Sequence, residues 1–180
     1  MIRTGHAVIR ATIPDDAGAL FRLYDPRAPR AALLDQRREM LMPTAKELEE
    51  TLVRQESGKA GFFTVELPEG EIAGFCALRG QNAETRFGEV ALLMLDSASF
   101  ESGVAHDALG FLKDRAFARE HLRKVVAHCL EREAELRGFL IQEGFESGGR
   151  QRDAFYTQGR YETIESLALY SASTGASHGH

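Results

Sequence analysis

Three observations predict an α+β (mixed α/β) domain, with a central sheet of six to seven strands flanked by about four helices. Residues 61–95 hold three apolar runs joined by short polar turns, the pattern of an antiparallel meander. The third run passes through the polar stretch DSASFESG into a helical pattern and then a further apolar run at Lys124–Leu130. A strand, a crossover helix and a strand in that order make a parallel pair inside an otherwise antiparallel sheet. Two late runs, over residues 145–156 and 161–170, are joined by Thr157-Gln158-Gly159-Arg160 and add a final hairpin.

Each element has a local cause. HAVIRATI, residues 6–13, alternates as a first strand, and Pro14 with Asp15 and Asp16 opens a helix. Ala17, Leu20, Phe21 and Tyr24 form that helix's apolar face, and Pro26 and Pro29 end it. From residue 27 to 42 the chain is irregular and basic: Arg27, Arg30, Arg37 and Arg38 interleave with Leu33, Leu34, Met40, Leu41 and Met42. This stretch reads equally as a mobile, substrate-facing lid and as an amphipathic helix packed on the sheet. Thr44 and Glu47 have capping-box spacing and start a helix over about residues 44–56, buried through Leu48, Leu52 and Val53.

The strand over residues 61–67 turns at Pro68-Glu69-Gly70 into EIAGFCALRG, and the third strand begins at Phe87. That strand is apolar without a break over residues 90–95, as a central strand covered on both faces requires. Ala105, Ala108, Leu109, Leu112 and Ala116 recur at helical spacing and give one buried face to a helix from about Gly103 to Leu122. The helix over residues 133–143 turns Leu136, Phe139 and Leu140 inward. Gly144 can then adopt the left-handed conformation while Phe145 packs back on Phe139 or Leu140. Residues 1–170 read as a single domain and 171–180 as a flexible tail, in which His178 and His180 are not assigned a metal.

A chain of 180 residues with 43% hydrophobic and 27% charged residues can bury one substantial core. Its formal net charge of -5 argues against general nucleic-acid binding. No run approaches the roughly 18 to 20 apolar residues that span a bilayer, and the first residues lack the apolar region of a secretion signal, so a cytoplasmic location is expected. Cys76 and Cys129 lie inside apolar runs and are expected to be buried, free thiols.

The turn between the third strand and the long helix is the first candidate site. The leading amides of a helix have no intrahelical acceptor and sit at the positive end of its dipole, so a loop with small residues there can close around phosphate. Gly103 and Ala105 supply the small positions. Residues 100–105, Phe100-Glu101-Ser102-Gly103-Val104-Ala105, match the last defining positions of the motif Gln/Arg-x-x-Gly-x-Gly/Ala but not its first. With the Gly144-Phe145 helix stop, the Gly159-Arg160-Tyr161 turn and the order of elements, the chain resembles the GNAT family of N-acetyltransferases over nearly its whole length.

The resemblance implies a GNAT-like fold whose parallel strands splay to admit acyl-CoA, with acetyl-CoA as co-substrate. Leu93, Met94 and Leu95 would then line the pantetheine arm, and the backbone of Glu101, Ser102, Gly103, Val104 and Ala105 would hold the pyrophosphate. The acceptor would be a small-molecule or peptide amine, with no nucleic-acid or membrane partner, and the resemblance allows a homodimer. Attack by a primary amine needs a proton acceptor, because the reference value for Lys is about 10.4. Glu89 is the first candidate for that base, against the alternative of an exposed strand-end acid. His128 is the second, against a hydrogen-bonded and inert histidine. An amide near Leu93 or Met94 could polarise the thioester carbonyl.

Three positions depart from the family pattern. Leu140 stands where a Tyr general acid is usual, Glu133 roughly where an Asn is frequent, and Phe100 where the loop is normally polar. A thiol with a reference value of about 8.5 can leave as thiolate without an acid, so the substitution at Leu140 slows the reaction without forbidding it. Tyr156 or Tyr161 could replace the acid, or be buried sheet tyrosines. A catalytically silent acyl-CoA-binding or regulatory domain therefore stands beside the transferase reading.

Overall fold

The computed structural model describes residues 1–25, 30–33, 43–54 and 61–171. The strands are β1 (Ile2–Arg3), β2 (Val8–Ala11), β3 (Phe62–Glu66), β4 (Ile72–Asn82), β5 (Phe87–Met94), β6 (Lys124–Leu130), β7 (Glu146–Thr157) and β8 (Arg160–Tyr170). They form one eight-stranded sheet in the order β1-β2-β3-β4-β5-β6-β8-β7. Only β5 and β6 run parallel, and the other pairs are antiparallel. The helices among the described residues are α1 (Ala17–Phe21), α2 (Ala45–Arg54), α3 (Ala98–Glu101), α4 (Val104–Lys113) and α5 (Ala134–Gln142).

One strand and one helix exceed the sequence expectation, and both are too short to carry a period. β1 is two residues paired to β2, and α3 is a single turn inserted before Gly103. The strand expected over residues 6–13 contracts to Val8–Ala11 because both flanks are bonded elsewhere. The His6 N–H donates to Asp107 Oδ2 at 2.8 Å, and the Ile13 N–H donates to Asp16 Oδ2 at 2.9 Å. The following helix begins as a 3-10 turn, Pro14–Asp16, before α1. The long helix ends at Lys113 and continues as a wider π turn, Asp114–Arg119, closed by the Glu120 N–H on the Arg115 carbonyl at 3.0 Å.

Both cap predictions appear as bonds. The Glu47 N–H donates to Thr44 Oγ1 at 3.2 Å and the Thr44 N–H donates to Glu47 Oε2 at 2.6 Å, so α2 opens on the expected reciprocal box. At the end of α5, Gly144 (φ +92°) donates to the Ile141 carbonyl and Phe145 to the Leu140 carbonyl, both at 3.0 Å. Leu48 and Leu52 are buried as expected, but Val53 is 66% exposed, because it stands about 100° around the helix from Leu52. The proline stop at Pro26 and Pro29, most of the basic stretch over residues 27–42, the end of the second helix beyond Arg54 and the tail from residue 172 lie outside the described residues.

Two faces of the sheet are packed differently. On one, α4 and α5 cover a continuous cluster that includes Val65, Leu78, Val90, Leu92, Leu109, Val125 and Leu167. All five positions predicted for the face of the long helix, Ala105, Ala108, Leu109, Leu112 and Ala116, are fully buried there. On the other face the packing is divided. Phe75, Ala77, Ala91 and Leu93 lie under α1 and α2 in one cluster, while Leu130, Phe155 and Ile164 make a second. β5 thus contributes alternate residues to both faces, the central position its unbroken apolar run predicts.

Beneath α1 a charged network ties β2 to β3. Arg10 reaches Asp16 with both terminal nitrogens, at 2.7 and 2.8 Å, and Glu66 through Nε at 2.8 Å. The Thr64 hydroxyl donates to Asp16 Oδ2 at 2.8 Å.

Candidate functional site

The parallel pair holds together for three rungs, Phe87↔Lys124, Gly88↔Val125 and Glu89↔Val126. Beyond Glu89 each strand follows a different neighbour: β5 stays on β4 as far as Gly74↔Met94, and β6 stays on β8 as far as Leu130↔Ile164. A gap opens between them. Because the Leu95 N–H donates to the Ala73 carbonyl, strand alternation turns the main-chain groups of Leu93 toward β4 and those of Leu92 and Met94 into the gap. Of the two amides considered for carbonyl polarisation, Met94 has the required direction and Leu93 does not.

The wide end of the gap is a cleft of about 460 Å³, with residues 94–97 and Phe100 on one bank and residues 132–136 on the other. That is the size of an ordinary small-molecule site. Its narrow end is a chamber of about 10 Å³, lined on the helix α4 side by Val90, Leu92, Ala127, Leu136 and Leu140 and on the opposite side by Ala32, Ala91 and His128. The chamber thus takes lining residues from both faces of the sheet and shares Leu136 with the cleft.

Glu89 and His128 both project onto that divided face. Glu89 stands at the last rung of the parallel pair, and its Oε1 accepts from Arg79 Nε at 3.0 Å and from Arg79 Nη2. It is a partly buried, ion-paired carboxylate rather than an exposed strand-end acid. His128 lies further along β6, with its Nδ1 2.9 Å from Ser166 Oγ on β8.

In the loop that follows β5, Gly103 is the N-cap of α4 with φ +88°. A Cβ there would lie 2.8 Å from His6 Nδ1, so the glycine is required both by the left-handed turn and by the imidazole resting on it. His6 is held by Asp107 Oδ2, which accepts from its N–H and lies 3.2 Å from its Nδ1. Not all five predicted loop positions offer an amide. The Ser102 N–H is spent on the Ala98 carbonyl at 2.9 Å, closing α3, whereas Val104 and Ala105 begin α4, whose first N–H bonded back to Gly103 is that of Asp107. Glu101 ends α3. Phe100 turns away from the loop onto Phe139, 5.2 Å between ring centres, so an apolar residue at this motif position packs the core.

Glu133 has a larger part in the site than the sequence suggested. Its Oε2 accepts from the Leu130 N–H at 2.8 Å and the Ala31 N–H at 3.3 Å, at the head of α5 and on the bank of the cleft. Burial pushes its carboxyl up from the ordinary value, against those two bonds and the nearby Arg30 and Arg132. An acid in the N-cap position of a helix was the available sequence signal. Both cysteines are free and buried, as expected. Burial pushes the Cys129 thiol up to about 12, with Glu133 and Glu165 adding to the effect, so it presents no thiolate near neutrality. Tyr156 and Tyr161 are exposed rather than buried, because they pair with each other edge-to-face on the outer hairpin, with ring centres 5.1 Å apart.

A mixed sheet whose one parallel pair parts after three rungs, with a glycine-opened helix in the crossover between the two strands, is the architecture of a CoA-dependent acyltransferase. The family profile described as "Acetyltransferase (GNAT) domain" matches residues 9–163, and the chain belongs to that family. The spermidine N-acetyltransferase of Vibrio cholerae, solved with CoA and spermine, superposes with a TM-score of 0.76 at 19% identity, covering 93% of this chain and 96% of that one. A chimeric form of the same enzyme gives 0.74 at 20% identity over 91% and 95% of the two chains. A GNAT acetyltransferase from Bacillus anthracis gives 0.71 at 15% identity over 94% and 97%. No curated protein matches. Acetyl-CoA is the co-substrate of this class, and the residues present fit it: a loop glycine without Cβ, the leading amides of α4, and main-chain groups of Leu92 and Met94 turned into a cleft of the right size. No helix among the described residues is long and apolar enough to cross a membrane.

Proposed function

We propose that the protein transfers an acetyl group from acetyl-CoA to a primary amine by direct attack. The observation that carries this reading is the parting of β5 and β6 past the Glu89 rung, with a cleft between residues 94–97 and 132–136 and a chamber that reaches His128. The amides of Gly103, Val104 and Ala105 hold the pyrophosphate, and Leu93, Met94 and Leu95 form the β5 wall along the pantetheine arm. Bound acetyl-CoA supplies an activated thioester carbonyl. The Met94 N–H, already turned into the gap, is a preorganised donor for negative charge developing there.

Glu89 removes the proton from the attacking amine, directly or through water, while Arg79 fixes the carboxylate by its Oε1. His128, oriented by Ser166, is the second proton carrier on the same face. Leu140 lines the narrow chamber, so no hydroxyl from that position protonates the departing thiol, which leaves as thiolate. The spermidine acetyltransferase neighbours make polyamines the first amines to assay.

Release of free thiol measured across polyamines, amino acid derivatives, aminoglycosides and peptide N-termini tests the reading. Turnover with one amine class, lost in Glu89→Gln while acetyl-CoA affinity is kept, supports it. Unchanged turnover in Glu89→Gln removes that residue from the mechanism. Absence of calorimetric heat and of thermal shift with acetyl-CoA overturns the whole reading.

A further inference from the structure

The divided packing on the Glu89 face is bridged at one place among the described residues. The 3-10 turn Ala31–Leu33 lies across the gap: Ala32 belongs to the cluster of Phe75, Ala77, Ala91 and Leu93, whereas its neighbour Ala31 belongs to that of Leu130, Phe155 and Ile164. Each bank also holds the turn by a hydrogen bond to its main chain. From the β4 bank, Arg79 Nη1 donates to the Ala32 carbonyl at 3.1 Å, with the same guanidinium anchored on Glu89. From the β6 bank, Glu133 Oε2 accepts the Ala31 N–H at 3.3 Å and the Leu130 N–H at 2.8 Å. Directly beneath, Ala32 closes the narrow chamber, whose other lining residues are apolar except for His128.

The dimensions of the gap determine what must reach this chamber. The cleft and chamber share Leu136, and the cleft is lined by Ser97 and Phe100 of the loop that leads to Gly103. A ligand anchored there by its phosphates and threaded between β5 and β6 ends at the third rung, under Ala32. For an acyl-CoA that end is the acyl group. A chamber with room for the centre of about one water has no slack for added carbons unless the roof or the strands shift.

We propose that Ala32 sets the length of acyl chain the site admits, with Arg79 and Glu133 as positioning residues that hold this roof in place. The inference rests on the reading that the gap takes the arm of an acyl-CoA. It assigns selectivity for a two-carbon acyl group to a methyl side chain on a turn fastened from both sides. Arg79 acts on the roof through Ala32 and Glu133 through Ala31.

Calorimetric dissociation constants for acetyl-, propionyl- and butyryl-CoA test it without knowledge of the amine. Butyryl-CoA is expected to bind the wild type about tenfold more weakly than acetyl-CoA, the overpacking of two methylenes into a tight site. Ala32→Gly should bring the two within about threefold of each other, and Ala32→Val should extend the penalty to propionyl-CoA. Glu133→Ala should erode the ratio as Ala32→Gly does, whereas Glu133→Gln, which keeps an acceptor oxygen, should retain it. General damage to the fold weakens all three ligands together and leaves their ratio alone. Should Ala32→Val fail to fold, Ala32→Gly, which only deletes a methyl, reads the same ratio. An unchanged ratio in Ala32→Gly or in Glu133→Ala overturns the inference while leaving the transferase reading standing. Failure of the wild type to bind acetyl-CoA at all overturns the reading beneath it.

Discussion

Replacing Gly103 by Ala separates what the loop glycine does for folding from what it does for binding. Its φ of +88° puts an L-residue in the left-handed region, which costs about 1–2 kcal/mol. The new Cβ would also lie 2.8 Å from His6 Nδ1 and 2.9 Å from its Cγ. The His6 side chain is 57% exposed and can swing away, at the cost of its contact with Asp107, an exposed pairing of this kind being worth about 0–1 kcal/mol. For a chain of this length each kcal/mol lowers Tm by roughly 2–4 °C, so the combined cost of about 1–3 kcal/mol should appear in scanning calorimetry as a fall of about 2–12 °C. A loop displaced enough to lose one charge-assisted bond to phosphate forfeits about 1.5–3 kcal/mol, a 10- to 100-fold weaker Kd for acetyl-CoA by titration calorimetry. Adding His6→Ala to Gly103→Ala should lower Tm little further, because the imidazole contact with Asp107 is already lost and the backbone component remains. A variant with wild-type Tm and wild-type Kd would refute the argument for a left-handed, closely approached glycine at the phosphate end.

Asp16→Asn should destabilise by about 3 kcal/mol in urea titrations, the low end for removing one partner of a buried pair, because Arg10 keeps Glu66. Acid should unfold the wild type by the same network. Burial alone would raise the Asp16 carboxyl, but Arg10, the Ile13 N–H and Thr64 hold it below its ordinary 3.8, while Arg137 and Ser147 hold Glu165 below 4.5. Both contributions are complete above those ordinary values and are lost as pH falls through the lowered ones, so Tm measured from pH 7 to pH 3 should drop steeply only below about pH 4, and less steeply in Asp16→Asn. Gly144→Ala should cost about 1–2 kcal/mol by forcing an L-residue to φ +92°, read as a shift of the urea midpoint at constant slope. Leu109→Ala, at a fully buried point under α4, should cost about 2–5 kcal/mol, and an effect below 1 kcal/mol would contradict the continuous packing described there.

What was legible in the sequence was local or periodic. The Thr44 and Glu47 box, the Gly144-Phe145 stop and the face from Ala105 to Ala116 each depend on spacings within one element, and the structure has all three. The unbroken apolar run in β5 announced a strand covered on both faces. What escaped depends on register between distant segments. Arg79 meets Glu89 because a hairpin aligns them, His6 rests on Gly103 and meets Asp107 across 101 residues, and Glu133 meets Ala31 across 102 residues. No period in any one segment encodes such meetings. Phe100 illustrates a different limit: the motif marked it as an apolar residue in a normally polar place, and only the inserted turn α3 shows that its ring packs on Phe139.

The parting of β5 from β6 divides the amides of a single strand into two populations. Those of Ala91 and Leu93 are locked in the ladder with β4, while those of Leu92 and Met94, equally buried, face the gap past the last parallel rung. Hydrogen exchange along β5 should therefore alternate, slow at one residue and faster at the next, with protection at Leu92 and Met94 rising when acetyl-CoA is added and the rest of the strand unchanged. A β-strand finished on one edge and open on the other is a template awaiting its partner, and a non-peptide arm with its own amides can complete it where β6, reached through the 29-residue crossover over residues 95–123, no longer pairs with it.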